Sequence, residues 1–181
     1  MTQTGGDGPD SSVISRHTPL PPDAPARSLV EQAFLEKYPA RGTVLNLVGL
    51  HGIPENEEGK PRVVTNFLKR VAPSKEALRA KGSLHLVHGR DAARAIVMVH
   101  ERAEEAAGRW IVSDGLVRDW WAVALELGGE EVRGWVLQLM QEHGVRVLPR
   151  APGSVGLGRV VDGVEFWLVL GGGPERVGMS V

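Results

Sequence analysis

The chain has 181 residues, of which 21 are basic and 22 are acidic, so its formal net charge is −1. It therefore lacks the basic field that attracts nucleic acid or anionic lipid. Without cysteine it has no disulfide, thiolate metal site or cysteine nucleophile. No apolar run approaches the roughly 20 residues that span a bilayer, and the polar N-terminus is unlike a secretory signal. We expect a cytoplasmic protein that binds neither nucleic acid nor membrane.

The first half of the chain predicts a tail, a helix and a strand in that order. Residues 1–22 are rich in Gly, Pro, Ser and Thr, which favours a flexible tail. Residues 23–36 have apolar residues at helical spacing, with Asp23 as the candidate N-cap. The segment "TVLNLVGL", 43–50, predicts a buried parallel strand. A polar loop over 51–62 follows, and short helices are predicted over 63–71 and 74–80.

The second half predicts an alternation of strands and helices. Strands are predicted at "SLHLVH", 83–88, and "RWIVSD", 109–114. Between them we expect a helix over 91–107 that Asp91 caps and Gly108 stops. Its apolar stripe consists of Ala92, Ile96, Val99 and Ala103. Helices over 116–127 and 132–143 follow, and they are separated by two glycines at 128–129.

The C-terminal pattern is ambiguous, because strands or one short helix can both be drawn through 159–170. We therefore expect three regions: a tail at 1–22, an α/β domain at 23–146 and a glycine-rich C-terminal segment at 147–181. The predicted fold class is α/β, with a small parallel sheet and helices on its faces.

Three segments, in their order and spacing, resemble the second half of the extended short-chain dehydrogenase/reductase family. "LVHGRDAARAI" resembles that family's strand-to-helix junction, "TVLNLVGLHG" its strand ending in a glycine-bearing loop, and "RWIVSDG" the strand that follows. More narrowly, "SDGLVRDWW" is similar to uncharacterised fungal NAD(P)-binding proteins of the epimerase/dehydratase type. The resemblance covers residues 16–143. It implies a partial Rossmann-like sheet, the C-terminal portion of that fold, and an association with NAD or NADP.

The glycine-rich turn that holds the dinucleotide in that family has no match in this chain. The turn should follow a first strand and open a helix. The early glycines at 5, 6 and 8 have no apolar strand before them, and "GSVGLG" at 153–158 has the wrong glycine order. We read both as tail or loop. Binding of NAD or NADP by this chain alone is therefore expected to be poor.

The family's proton-transferring Tyr and Lys, four residues apart, are also missing. At those positions this chain has Asp23 and Arg27, and four residues after Tyr38, its single tyrosine, comes Gly42. Asp23 suits a helix cap better than an acid, and Arg27 keeps a charge but cannot titrate. Ser12 is the candidate for the family's catalytic Ser, with an ordinary tail residue as the alternative.

The resemblance places the nicotinamide ring and the substrate near Val48, Gly49 and Leu50, at the carboxyl end of a strand. His88 is the candidate substrate-binding residue, and a hydrogen bond within the strand-to-helix junction is its alternative role. His85 and His88 are three residues apart on a strand and so point to opposite faces, which argues against a metal site.

Two functions are compatible with this sequence. The first is a truncated or degenerate NAD(P)-dependent epimerase, dehydratase or reductase that has little redox activity by itself. The second is a non-catalytic binding or interaction module that pairs with another subunit or a second copy. An exposed sheet edge and the tryptophans would form that contact. Of the adjacent Trp120 and Trp121, we expect one in the core and one at a surface. The small-molecule substrate and any remaining catalysis are left open.

Overall fold

The computed structural model describes residues 13–52, 68, 70–151 and 156–177. The described chain forms two compact units. Of the described residues, unit 1 contains 13, 68, 70–84, 117–151 and 156–160, and unit 2 contains 14–52, 85–116 and 161–177. The strands are β1 (Val13–Ile14), β2 (Thr43–Leu47), β3 (Gly49–His51), β4 (Ser83–Leu84), β5 (Leu86–His88), β6 (Gly108–Val112), β7 (Arg118–Asp119) and β8 (Val160–Val161). The helices are α1 (Ala26–Lys37), α2 (Lys75–Arg79), α3 (Gly89–Glu101), α4 (Trp120–Leu127), α5 (Glu130–Glu142) and α6 (Val164–Val169).

Unit 2 contains the predicted parallel strands, so the α/β fold class is confirmed. Strand β2 runs parallel to β6, from Thr43 opposite Gly108 to Leu47 opposite Val112. Strand β3 runs parallel to β5. The helices flank these pairs, and parallel strands of this kind need their faces covered.

The predicted strand at 43–50 is interrupted at Val48, where the chain changes its hydrogen-bonding partner. The Val48 N–H donates to the Val112 carbonyl at 3.4 Å, whereas the next N–H, of Gly49, donates to the His85 carbonyl at 3.1 Å. The first part therefore pairs with β6 and the second with β5. The predicted strand at 83–88 is divided too, since β4 pairs antiparallel with β7 in unit 1, and β5 belongs to unit 2.

Helix α3 differs from its prediction at its end and in its buried stripe. It ends at Glu101 instead of 107. Residues 102–106 turn so that the buried Ala106 carbonyl accepts the Trp110 indole N–H at 2.7 Å and the Thr43 hydroxyl at 2.8 Å. The side chain of Ile96 is 57% exposed, so the predicted stripe was wrong at that position. The buried face of α3 consists of Asp91, Ala92 and Ala95.

The core of unit 2 is closed by the C-terminal helix α6. Phe166, Trp167 and Leu170 pack with residues of β5, α3 and β6. The Trp167 indole N–H donates to the Ser113 carbonyl at 2.7 Å. Both structures drawn through 159–170 thus occur, because the strand β8 precedes the helix α6.

Unit 1 is built around Trp121 and a buried ion pair. The Asp119 carboxylate accepts the Trp121 N–H at 2.9 Å and caps α4, which therefore begins at Trp120 and not near 116. Asp119 also pairs with Arg150, whose Nη2 lies 2.6 Å from Oδ1. The Arg150 guanidinium lies 4.0 Å above the Trp121 ring, and His143 packs against its edge.

Both Trp120 and Trp121 are buried, so the expectation that one of them faces a surface was wrong. Trp121 is covered by the Arg150 and His143 side chains and donates its indole N–H to the Leu78 carbonyl at 3.0 Å. The helix break predicted at the two glycines 128–129 is confirmed, since α4 ends at Leu127 and α5 begins at Glu130.

Helices α2 and α5 of unit 1 are linked by charged residues. Lys75 Nζ lies 2.9 Å from Glu142, and Arg79 binds the other oxygen of the same carboxylate. These hydrogen bonds hold the pKa of Glu142 below its ordinary value. The cap predicted for α2 is confirmed, because the Ser74 hydroxyl accepts the Ala77 N–H.

Most of the predicted helix at 63–71, and the loop from 53 onwards, lie outside the described residues. Among the described residues, no helix is long and apolar enough to cross a membrane. The proposed boundaries at 22 and 146 stay a prediction.

Candidate functional site

The strongest candidate site in unit 2 is a pair of imidazoles at the carboxyl ends of β3 and β5. The parallel register places His51 directly opposite His88. Their ring centroids are 5.3 Å apart, and the rings are nearly perpendicular at 84°. His88 is buried and His51 is half-buried. In open parallel sheets, ligands bind outside the carboxyl ends of the strands, so the pair occupies the position where polar groups meet a ligand.

The orientation of His88 is fixed by the helix that follows it. Its Nδ1 accepts the backbone N–H of Arg90 at 3.2 Å and thereby caps α3. The predicted hydrogen bond within the strand-to-helix junction is therefore confirmed. Because Nδ1 is the acceptor, the neutral ring carries its proton on Nε2. Nε2 is on the side of the ring that approaches Gly52.

Gly52 allows the close approach of the two strand ends. Its φ is +58°, and a Cβ added there would lie 2.1 Å from both Nε2 and Cδ2 of His88. Only glycine adopts this backbone conformation without cost and also leaves room for the imidazole. The close contact with His88 therefore explains why a glycine follows β3 in this chain.

The three residues predicted to approach the nicotinamide ring differ in packing and in exposure. Val48 packs against the core of unit 2. Gly49 lies opposite Leu86, and an added Cβ would be 2.9 Å from Leu86 Cδ2. The side chain of Leu50 is 47% exposed. Leu50 is thus the member of the three whose side chain is available to a ligand, and the binding role of all three stays a prediction.

Asp91 does not cap α3, and that expectation was wrong because His88 occupies the cap position. Asp91 is 1% exposed. Its two carboxylate oxygens accept the backbone N–H groups of Glu175 at 3.0 Å and Arg176 at 2.9 Å. Arg94 Nη2 lies 3.2 Å from the same carboxylate. Asp91 therefore fastens the C-terminal segment 171–176 to the first turn of α3.

Asp23 is not a cap either. Helix α1 begins at Ala26, and its N-cap Pro25 makes no side-chain hydrogen bond to the helix. Asp23 is exposed, two residues before that cap. A carboxylate this far from the first turn cannot reach its N–H groups, which is why the expected cap is absent.

The other positions carried over from the family are separate from the imidazole pair in their contacts. Arg27 forms an ion pair with Glu31 on its own helix at 2.9 Å. Tyr38 follows the end of α1, and its ring packs against Phe34 with centroids 5.3 Å apart. Ser12 lies outside the described residues.

The polar residues at the end of β6 serve the fold. Ser113 and Asp114 are buried. The Asp114 N–H donates to the Leu86 carbonyl at 2.8 Å, and its carboxylate accepts the Leu116 N–H at 3.1 Å. His85, between β4 and β5, accepts the Val161 N–H at 3.1 Å. Within the described residues, no group of three or more His, Cys, Asp or Glu side chains is placed to hold a metal ion.

His51 was missed by the sequence analysis, which assigned it to a polar loop. A signal was present: both "GLH" at 49–51 and "LVH" at 86–88 end in histidine. If two such strands are aligned in parallel at their carboxyl ends, the histidines become neighbours.

Comparison with known proteins gives the fold. No protein-family model matches the chain, and no curated protein matches it. Among solved structures, the chain is similar to a dTDP-glucose 4,6-dehydratase from Bacillus anthracis in complex with NAD, with a TM-score of 0.50 and 16% identity. That match covers 97% of this chain and 53% of the dehydratase. The described fold is therefore Rossmann-like, and the chain spans about half the length of that structure.

Two further structures are similar at lower scores. One is the dTDP-glucose 4,6-dehydratase DesIV from Streptomyces venezuelae with NAD and TYD bound, with a TM-score of 0.48, 20% identity, and coverage of 92% of this chain and 51% of that one. The other is a putative NAD-dependent epimerase/dehydratase from Methylobacillus flagellatus, with a TM-score of 0.44, 16% identity, and coverage of 86% and 50%.

Proposed function

We propose that this chain supplies the substrate-side half of an NAD(P)-dependent epimerase-, dehydratase- or reductase-like fold and has little redox activity by itself. The observation that carries the proposal is the extent of the fold match: nearly the whole chain corresponds to about half of a dehydratase. The imidazole pair at the ends of β3 and β5 supports a role on the substrate side.

The chemistry that we propose for this end of the sheet is hydrogen bonding by the two imidazoles. The Nδ1 of His88 already accepts the Arg90 N–H, its Nε2 lies on the side that approaches Gly52, and the His51 ring packs against it. A neutral imidazole offers one hydrogen-bond donor and one acceptor. The exposed Leu50 side chain adds an apolar surface beside them. This combination suits a polar small molecule that also has an apolar face.

The weak redox activity follows from the residues at the family's catalytic positions. Arg27 is engaged with Glu31 on the surface of α1, and the sole tyrosine has no lysine four residues later. Without a phenol of lowered pKa, hydride transfer has no proton partner of the family's kind. NAD or NADP is the expected cofactor class, bound weakly by this chain alone.

Fluorescence titration of the purified chain with NADH and with NADPH tests this proposal. We expect no saturation below a concentration of about 1 mM, equivalent to about 4 kcal/mol of binding. Saturation in the low micromolar range, about 8 kcal/mol, would contradict it. A parallel titration of His51→Ala shows whether any residual binding involves the imidazole pair.

The second candidate function is a non-catalytic interaction module, and one surface favours it. Four of the five tryptophans do not form that surface, because Trp110, Trp120, Trp121 and Trp167 are buried, and the fifth, Trp135, is half-buried. The apolar side of α1 is exposed instead. On this view the fold presents a binding face, and the strand-end histidines have no catalytic task.

A further inference from the structure

The C-terminal segment that follows α6 runs along helix α3, from its last turn to its first. A Cβ added at Gly171 would lie 3.1 Å from Nη1 of Arg102, the residue at which α3 ends. Four residues later, the backbone N–H of Glu175 donates at 3.0 Å to the carboxylate of Asp91, in the first turn of α3. We call residues 171–177 the strap.

The direction of the strap brings its exposed end to the ligand end of the sheet. Helix α3 begins directly after β5, so its first turn lies at the carboxyl end of that strand. The same turn is capped by His88 and holds the strap through Asp91. Arg176 and Val177, which are both exposed, therefore lie at the same end of unit 2 as the imidazole pair.

The strap is held to unit 2 by polar contacts and hardly at all by apolar packing. Six of its seven residues are exposed, and only Pro174 is half-buried. Segments with few buried apolar contacts open locally at a lower free energy than the core does. The strap also begins with three consecutive glycines, and the φ of Gly171 is +70°, a conformation that glycine adopts without cost. These are the properties of a segment that can detach about a hinge.

Arg94 keeps a partner for Asp91 whether or not the strap is docked. Its guanidinium lies 3.2 Å from the Asp91 carboxylate on its own helix and 5.0 Å from the centre of the Trp167 ring. The same guanidinium binds the strap through the Glu175 carboxylate, at 3.1 Å, and through the Gly173 carbonyl. When the strap leaves, the contacts with Asp91 and Trp167 remain. The strap can therefore detach without leaving a buried charge unpaired, which is the costly outcome.

We propose that the strap is a gate for the imidazole pair: docked on Asp91 it limits access to the two rings, and its release exposes them. This inference rests on the proposed ligand role of the strand ends. One turn of α3 holds both His88 and the strap, so a ligand that contacts the rings and the end of the strap favours the docked state. By linkage, docking of the strap strengthens the binding of that ligand by the same factor.

Modification of the histidines by diethyl pyrocarbonate, followed by mass spectrometry, tests the gate on the full chain without cofactor, and so separately from the redox proposal. Gly171→Ala strains the hinge at the far end of α3, about 20 Å along the helix from His88. We expect the imidazole pair to react at least fivefold faster in this variant, while His100, exposed near that far end, reacts as in the wild type. The matched control is Gly144→Ala in unit 1, which has a similar positive φ and should leave both rates unchanged.

Hydrogen exchange of the same variants shows whether the strap has detached. The amides of Glu175 and Arg176 should exchange at least tenfold faster in Gly171→Ala, and the amide of the buried Asp114 should exchange as in the wild type. Glu175→Gln removes the ion pair with α3 and leaves the hinge intact, so it should shift both readouts in the same direction, by at least twofold.

Two results would overturn the gate. One is faster exchange of the strap amides with unchanged modification of the imidazole pair. The other is a strap whose amides stay as protected as that of Asp114 in both variants, whatever the rate of modification.

Discussion

Replacing Asp91 by alanine should destabilise unit 2 well beyond the loss of a helix cap. The carboxylate is 1% exposed and accepts two backbone N–H groups from the C-terminal segment 171–176. It also pairs with Arg94. Each buried polar group left without a partner costs about 1–3 kcal/mol. The segment itself is exposed on its outer side, so water can reach part of the freed backbone, and we expect a total of about 2–3 kcal/mol.

The matched control is Asp162→Ala. Asp162 accepts the Val164 N–H at 2.9 Å ahead of α6 and is exposed, so its loss should cost about 1 kcal/mol, as caps do. Urea unfolding measures both variants, and hydrogen exchange of residues 171–177 reports the segment directly. If Asp91→Ala costs no more than Asp162→Ala and exchange of the segment is unchanged, the fastening role assigned to Asp91 is refuted.

Two further substitutions test the remaining buried contacts. Arg150→Ala should cost about 3–5 kcal/mol in chemical denaturation, because Asp119 is left as a buried charge without its partner; a cost near zero would show that water replaces the guanidinium. Gly52→Ala and Gly144→Ala both place a side chain at positive φ, 58° and 64°, but only the former meets His88. Gly52→Ala should therefore cost about 1–2 kcal/mol more in thermal melts and shift the His88 NMR signals, whereas equal costs would contradict the close approach.

The strand register explains why half of the imidazole pair was predictable. Apolar runs ending near 50 and 88 indicate strands, and the parallel fold follows from their alternation with helices. His88 was identified because its junction resembles a family motif. His51 required knowledge of which residues stand opposite each other, and register depends on pairing between distant segments.

Side-chain roles around α3 were less predictable because distant residues decide them. The spacing of Asp91 before an apolar stripe is typical of a cap, and only the C-terminal segment, more than 80 residues later, reveals its other partner. Ile96 fits the helical stripe by spacing, yet the stripe that packs is rotated toward Ala95 because α6 covers that side.

The exposure of the apolar side of α1 could be predicted only in part from the sequence. The periodicity of 26–34 predicts a helix and gives its apolar side correctly. The periodicity cannot show that this apolar side faces outward. The opposite side of α1 faces the strands through Glu31, which lies near Asn46 of β2 and Arg109 of β6, and those contacts depend on distant residues. A helix with an apolar stripe is normally expected to pack that stripe against its own core, and α1 does not do so.

The central proposal is that this chain supplies the substrate-side half of a dehydratase-like fold and binds a dinucleotide weakly by itself. The most direct measurement is a two-dimensional amide NMR titration of the chain with NADH, which reports affinity and location together. We expect no saturation up to about 1 mM, with any shifts confined to residues at the ends of β3 and β5. Saturation in the low micromolar range would contradict the account.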